Sequence, residues 1–174
     1  MPTLHEAQLP DGRCIRLREL TSQEHARAYD AAAVHRPDGG LAPPNPLTLA
    51  RELHMAALVA ITDTKPLFKL GPDGKPLPRL GADGLPMRRV DAAGNPVLRN
   101  GQPVVALQRF DLGALTPEDW RPLTYGELNT RYDDLFGPKA RVVIEQLFNR
   151  AHSVDLSEEG QDFFETMRAV SSTG

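Results

Sequence analysis

The middle of the chain reads LGPDGKPLPR (residues 70–79), LGADGLPMRR (80–89), VDAAGNPVLR (90–99) and NGQPV (100–104). Every unit contains a Gly and, two residues later, a Pro. Gly allows the positive φ that a tight turn needs, while Pro fixes φ and removes a backbone donor, so neither residue suits a helix interior. Each unit is therefore predicted to be a turn followed by a short extended run.

Apolar, β-branched segments flank the repeats, at residues 58–62 (LVAIT) and 104–107. We expect them to pair as neighbouring antiparallel strands with the repeats looped out between them. The predicted organisation is an N-terminal hairpin with helices over residues 1–63, an inserted repeat arm over 64–103, and a strand with a C-terminal helical part over 104–174. The first and third parts are expected to pack as one domain.

Local signals outside the repeats define the remaining elements. Pro10, Asp11 and Gly12 form a turn between two short runs, which predicts a β-hairpin with one buried face. Thr21 and Glu24 form a capping box that opens a helix over residues 22–34. Later helices are predicted from the Asn45 cap to near Ala57, from Thr116 with Trp120 in the first turn, from the Thr124 cap to Phe136, over 139–151, and from Ser157. The predicted fold class is α+β, a hairpin and a mostly helical body with a Gly/Pro-rich β-turn arm.

Charge is unevenly distributed along the chain. Residues 69–109 carry seven Lys or Arg side chains and three Asp, a local charge of +4, which leaves −7 for the rest of a chain with net charge −3. A basic arm on an acidic body suits an acidic partner surface, although solvated arginines are the simpler interpretation. Nucleic acid is not an expected partner, because the basic stretch has no aromatic stacking platform before Phe110.

Motifs for chemistry are absent from the sequence. A single Cys14 excludes an intramolecular disulfide and a zinc site built from Cys pairs. The five histidines never lie three or four residues apart, and no nucleophile-elbow or nucleotide-binding motif occurs. We therefore predict no enzymatic activity, cofactor or metal; the alternative is an enzyme whose groups converge only in three dimensions, such as His152 with Asp155 or Glu165.

No apolar run approaches the roughly 18–20 residues of a membrane span, so a soluble protein without a leader is expected.

The opening LPDGRCIRLREL (residues 9–20) followed by TSQE (21–24) resembles the start of tail assembly chaperones of tailed bacteriophages. It is also similar to small baseplate-associated proteins of contractile tails. The resemblance covers about 25 residues, and the later order of elements is compatible with it. It implies a non-enzymatic protein that keeps the helical tape-measure protein soluble while the tail tube assembles, or one that stays in the particle or helps to build it.

The resemblance implies tape-measure, tail-tube or baseplate subunits as partners, with the host cytoplasm during assembly, or the virion tail, as location. An unrelated protein-binding module is the alternative, and self-association into a homo-oligomer is compatible with both. Core packing is the simpler role for the apolar contact candidates. The candidates are Arg79, Arg88, Arg89 and Arg99 in the arm, and Leu147, Phe148, Phe163, Phe164 and Met167 on the C-terminal helices.

Overall fold

The computed structural model describes residues 3–152, except the side chain of Leu41. This part of the chain has an α+β fold with four α-helices and a four-stranded antiparallel sheet of order β1-β2-β5-β8. Two short hairpins, β3-β4 and β6-β7, complete its strands. The elements are β1 (Leu4–Gln8), β2 (Cys14–Arg18), α1 (Ser22–Ala32), β3 (Val34–His35), β4 (Leu41–Ala42), α2 (Pro46–Ala57), β5 (Leu58–Thr62), β6 (Leu98–Arg99), β7 (Gln102–Pro103), β8 (Trp120–Pro122), α3 (Tyr125–Leu135) and α4 (Pro138–Ala151).

The N-terminal hairpin is confirmed, with β1 and β2 adjacent in the sheet. Ile15 and Leu17 on β2 are fully buried, while Arg16 between them is half-buried. This alternation follows from the two-residue period of a strand, which sends successive side chains to opposite faces. From Ile15 to Arg18 the strand therefore has the single buried face that its sequence predicts, while Cys14 at its start is also fully buried.

Both helix starts in the first half of the chain are confirmed. Thr21 Oγ1 accepts from the backbone N–H of Glu24, and the Glu24 carboxylate accepts from the N–H of Thr21, which closes the capping box of α1. Asn45 Oδ1 accepts from the N–H of Leu47, and Pro46 is the first residue of α2. These side chains satisfy backbone donors that have no partner within the helix.

Strand β5 forms where predicted, but the prediction of its partner is wrong. Its neighbours in the sheet are β2 and β8, not residues 104–107. The N–H of Leu123, next to β8, donates to the carbonyl of Val59 at 2.9 Å. Trp120 is accordingly in a strand and not in a helix: a 3₁₀ turn over Pro117–Asp119 precedes it, and Pro122 cannot continue a helix.

Helices α3 and α4 contribute a further part of the core. The predicted spacing on α3 is confirmed, since Leu128, Tyr132 and the following Phe136 are buried. Ala140, Ile144, Leu147 and Phe148 form the buried side of α4. The helix predicted from Ser157 lies outside the described residues.

Contacts divide the described chain into two compact units. One contains residues 3–7, 15–60 and 122–152, and the other contains 8–14 and 61–121. Residues 104–121 thus group with the repeats. The sequence predicts them as part of the C-terminal segment 104–174. The grouping follows from the hydrogen bonds of the repeats.

Candidate interaction surface

The repeats pair with the returning segment 102–110, and we call residues 67–110 the repeat ladder. Each unit adds three residues to the ladder and loops out the other seven. Consecutive units share one residue of the returning segment, since Gln108, for example, bonds to both Lys69 and Leu77. Ten residues along the repeats therefore correspond to two residues along the returning segment. The β-bridges join Phe68 to Arg109, Pro78 to Leu107, Arg88 to Val105 and, in the β6-β7 hairpin, Leu98 to Pro103.

One five-residue turn forms three loops of the ladder, and a two-residue turn at Asn100 and Gly101 forms the last. The first N–H of the five-residue turn donates to the fifth carbonyl, and the N–H of a Gly at the fourth position donates back to the first carbonyl. The Gly has φ between +74° and +91°, a conformation that costs other residues free energy. Within the described chain this turn occurs at residues 9–13, 36–40, 71–75, 81–85 and 91–95, so the N-terminal hairpin and the repeats share the same local chemistry.

Four cations occupy equivalent positions on one face of the ladder, which we call the basic face: Lys69, Arg79, Arg89 and Arg99. Their backbones lie opposite residues 108, 106, 104 and 102 of the returning segment. A step of two residues in an antiparallel strand is roughly 6.8 Å, so the cations form an evenly spaced row. All four are exposed, and no acidic side chain of the described residues lies within 4.0 Å of their charged groups.

The opposite face of the ladder is mainly apolar. Bridge partners have their side chains on the same face, so Phe68, Leu98, Val105 and Leu107 lie together there. Leu98 is 60% exposed and Val105 42% exposed. Arg88 and Arg109 also lie on this face, which separates Arg88 from the other three predicted arginines. The structure therefore brings three of the four together and adds Lys69.

The returning segment has an open edge. The backbone groups of residues 104, 106 and 108 bond to the repeats on one side. Since successive residues of a strand direct these groups to opposite sides, the N–H and C=O groups of Val105, Leu107 and Arg109 face the other side. No backbone hydrogen bond within residues 3–152 uses them.

Two other predicted contact residues, Leu147 and Phe148, are buried. Leu147 is 3% exposed and Phe148 is 7% exposed, so both lie in the core of the unit that contains α4. Phe148 stacks on the His152 ring with centroids 4.0 Å apart. Phe163, Phe164 and Met167 lie outside the described residues, and their role as partner contacts stays a prediction.

A cleft of about 480 Å³ lies among α1, α2 and the start of α3. On one side, two hydrogen bonds from the Arg18 guanidinium to the Glu24 carboxylate lower the pKa of Glu24 to about 2. On the other, the Tyr125 hydroxyl donates to Glu52, which is only 7% exposed, and this bond raises the pKa of Tyr125 to about 12. Both carboxylates of the cleft are thus hydrogen-bonded within the fold.

The fold gathers three histidines around Phe148, although none are paired by helical spacing. The His25 and His152 rings are 5.4 Å apart, and the His54 ring is 5.3 Å from Phe148. Burial lowers the pKa of His54 to about 4, and burial with the nearby His152 lowers the pKa of His25. Asp155 and Glu165, the acids considered with His152, lie outside the described residues.

Metal sites and membrane-spanning helices are not found among the described residues. Residues 3–152 contain no group of three or more His, Cys, Asp and Glu side chains placed to hold a metal ion. None of the described helices combines the length and apolarity needed to cross a bilayer. Comparison with protein-family models, curated proteins and solved structures finds no match to this chain.

Sequence reasoning missed Lys69, the division between the two faces and the open edge. The repeat itself held part of the signal, because residues 69, 79, 89 and 99 are all basic at a spacing of ten. Their common face depends on the pairing with residues 102–108. No local pattern indicates that pairing.

Proposed function

We propose that this chain is a non-enzymatic assembly protein of a tailed bacteriophage, and that the repeat ladder is an inserted arm that binds neighbouring tail proteins. The bacteriophage setting is supported by the resemblance of residues 9–24. The contact role is supported by one observation: the ladder presents a row of exposed cations on one face, and the apolar side chains on the other face include the exposed Leu98 and Val105.

Exposed apolar side chains recur at one position of the repeat, which supports the contact role further. Leu70, Leu80 and Val90 begin successive units and are 45%, 51% and 55% exposed. A bound protein that covers these side chains would remove apolar surface from water. Each Å² of apolar surface covered by a partner contributes about 25 cal/mol.

Mass spectrometry of purified particles and of assembly intermediates from the source tests this function, with the tail-tube protein as the internal standard. A few defined copies per particle support a structural tail component. Presence in intermediates alone supports a chaperone that leaves. Absence from both overturns the bacteriophage assignment and favours an unrelated binding module.

A pair of variants tests whether the ladder makes the contact. Leu80→Ser should reduce recovery of the chain with tail proteins, because it removes an exposed apolar side chain from the ladder. Leu47→Ser is the matched control, since Leu47 is 81% exposed on α2, outside the ladder. Equal recovery of the two variants would contradict a contact through the ladder.

A further inference from the structure

We infer that the open edge of the returning segment binds an extended acidic segment of another protein as an added β-strand. This inference rests on the proposed function, and it names the chemistry of the partner. The edge offers the outward backbone groups of Val105, Leu107 and Arg109, in the alternating pattern that a new strand pairs with.

The edge is accessible between residues 105 and 109. Val105 is 42% exposed and Arg109 is exposed, so a strand can approach the edge. Pro103 follows the same alternation but has no N–H, so it ends the pairing site on that side. The site therefore accommodates a strand of about five residues alongside residues 105–109.

The positive charge of the basic face favours an acidic segment at the open edge. Lys69, Arg79, Arg89 and Arg99 form a like-charged row with no acidic partner among residues 3–152, and like charges this close repel one another. A second copy paired through the same edge would bring its own residues 102–110, which contain no acidic side chain. A segment with acidic side chains relieves the repulsion instead.

Spacing defines the pattern of the acidic segment. The row repeats at roughly 6.8 Å, and alternate side chains of an extended strand repeat at the same distance. Between the row and the added strand lie Val104 and Ala106, which are small enough for arginine side chains to extend across them. The expected ligand therefore has Asp or Glu at every second residue. A nucleic acid strand fits less well, since the basic face lacks stacking aromatics along the row.

Fluorescence anisotropy with synthetic probes tests the inference on the full chain. The probes are a peptide in which Glu alternates with Thr and Val, a peptide of the same composition with all Glu in one block, and a single-stranded oligonucleotide. The alternating peptide should bind at least about tenfold more tightly than the block peptide. Tighter binding of the oligonucleotide, or equal binding of both peptides, overturns the inference.

Two variants test the edge itself. Leu107→Pro removes an outward N–H and leaves the bonds of residues 106 and 108 to the repeats in place, so it should abolish peptide binding. Leu107→Ala should bind like the wild type. If Leu107→Pro does not fold, two N-methylated versions of the alternating peptide test strand addition instead. One version is methylated on the odd residues and the other on the even residues. Only one of these sets has its N–H groups directed at the edge, so methylation of that set alone should prevent binding. Insensitivity to methylation of either set contradicts strand addition.

Neighbouring arginines on opposite faces provide a charge-matched test. Arg89→Ser should weaken binding of the alternating peptide several-fold, while Arg88→Ser, with the same loss of charge, should not. Equal losses would show a non-specific charge effect and overturn the register. If the chain is found with tail proteins but Leu107→Pro assembles normally, this inference fails and the proposed function stands.

Discussion

The backbone N–H of Leu20 donates to Nε2 of His152 at 2.8 Å, across 132 residues of sequence. The other ring nitrogen, Nδ1, lies 2.9 Å from the carbonyl oxygen of Phe148, which can only accept. The proton is therefore on Nδ1, and the backbone sets the tautomer of this histidine. One imidazole thus joins the end of α4 to the residue before the cap of α1.

We predict that His152→Ala lowers the free energy of unfolding by about 1–3 kcal/mol, because it leaves the part-buried N–H of Leu20 without an acceptor. Urea unfolding at neutral pH measures the effect. His152→Gln should recover part of the loss, since its amide oxygen can accept the same bond. A loss in His152→Gln as large as that in the alanine variant would contradict a role for this acceptor.

Stability should fall as the pH decreases from about 6.5 to about 4. Burial lowers the pKa of His54 from 6.5 to about 4, so between these values the unfolded chain binds a proton that the folded chain does not. The neutral imidazole therefore contributes stability above pH 6.5, up to about 3 kcal/mol, and this contribution is lost towards pH 4.

Urea midpoints between pH 7 and pH 4 measure this dependence on the wild type and on His54→Gln. The variant should have a shallower slope, and His25, whose pKa is also lowered, should account for part of the slope that remains. An unchanged slope would contradict the assignment to His54. The ion pair of Glu24 with Arg18 adds a separate loss at lower pH, because the pKa of Glu24 is lowered to about 2.

Two glycines at the same position of the same turn should differ in their tolerance of alanine. Gly12 has φ +91° and Gly39 has φ +82°, so alanine is strained at both and should cost about 1 kcal/mol at each. A Cβ at residue 12 would also lie 2.3 Å from the carbonyl oxygen of Lys65, whereas a Cβ at residue 39 would meet nothing within 4 Å. Gly12→Ala should therefore lower the free energy of unfolding, measured with urea, by a further amount of about 1–3 kcal/mol. Equal losses would show that the close approach of Lys65 relaxes freely.

The ladder predicts which deletion preserves its register. Removing residues 80–89 alone should shift Phe68 from Arg109 to Leu107, because the turn at Asn100 and Gly101 keeps the far end in place. Removing residues 80–89 together with 105–106 should restore Phe68 opposite Arg109. The double deletion should therefore have the higher urea midpoint and the slower amide exchange at Lys69. Equal midpoints and exchange rates in the two deletions would contradict the ten-to-two relation.

Local elements could be predicted closely from the sequence, and long-range pairing could not. The capping box at Thr21, the Pro46 start of α2 and the apolar spacing of α3 depend on residues no more than four positions apart or on one helical period. The partner of β5 depends on pairing between segments that are distant in the sequence. Residues 104–107 and 120–122 both have suitable side chains, but the backbone groups of Val104 and Ala106 bond to the repeats, and the segment that pairs with β5 is β8.

Sequence alone determined that residues 70–104 repeat a glycine turn every ten residues and that the repeats are basic, since turn geometry and charge belong to single residues. Only the tertiary structure decided that Arg79, Arg89 and Arg99 share a face with Lys69 while Arg88 lies opposite. The physical reason is the two-residue period of a β-strand: the direction of a side chain depends on its register with the returning segment, and that register is set by hydrogen bonds between residues as far as about 40 positions apart.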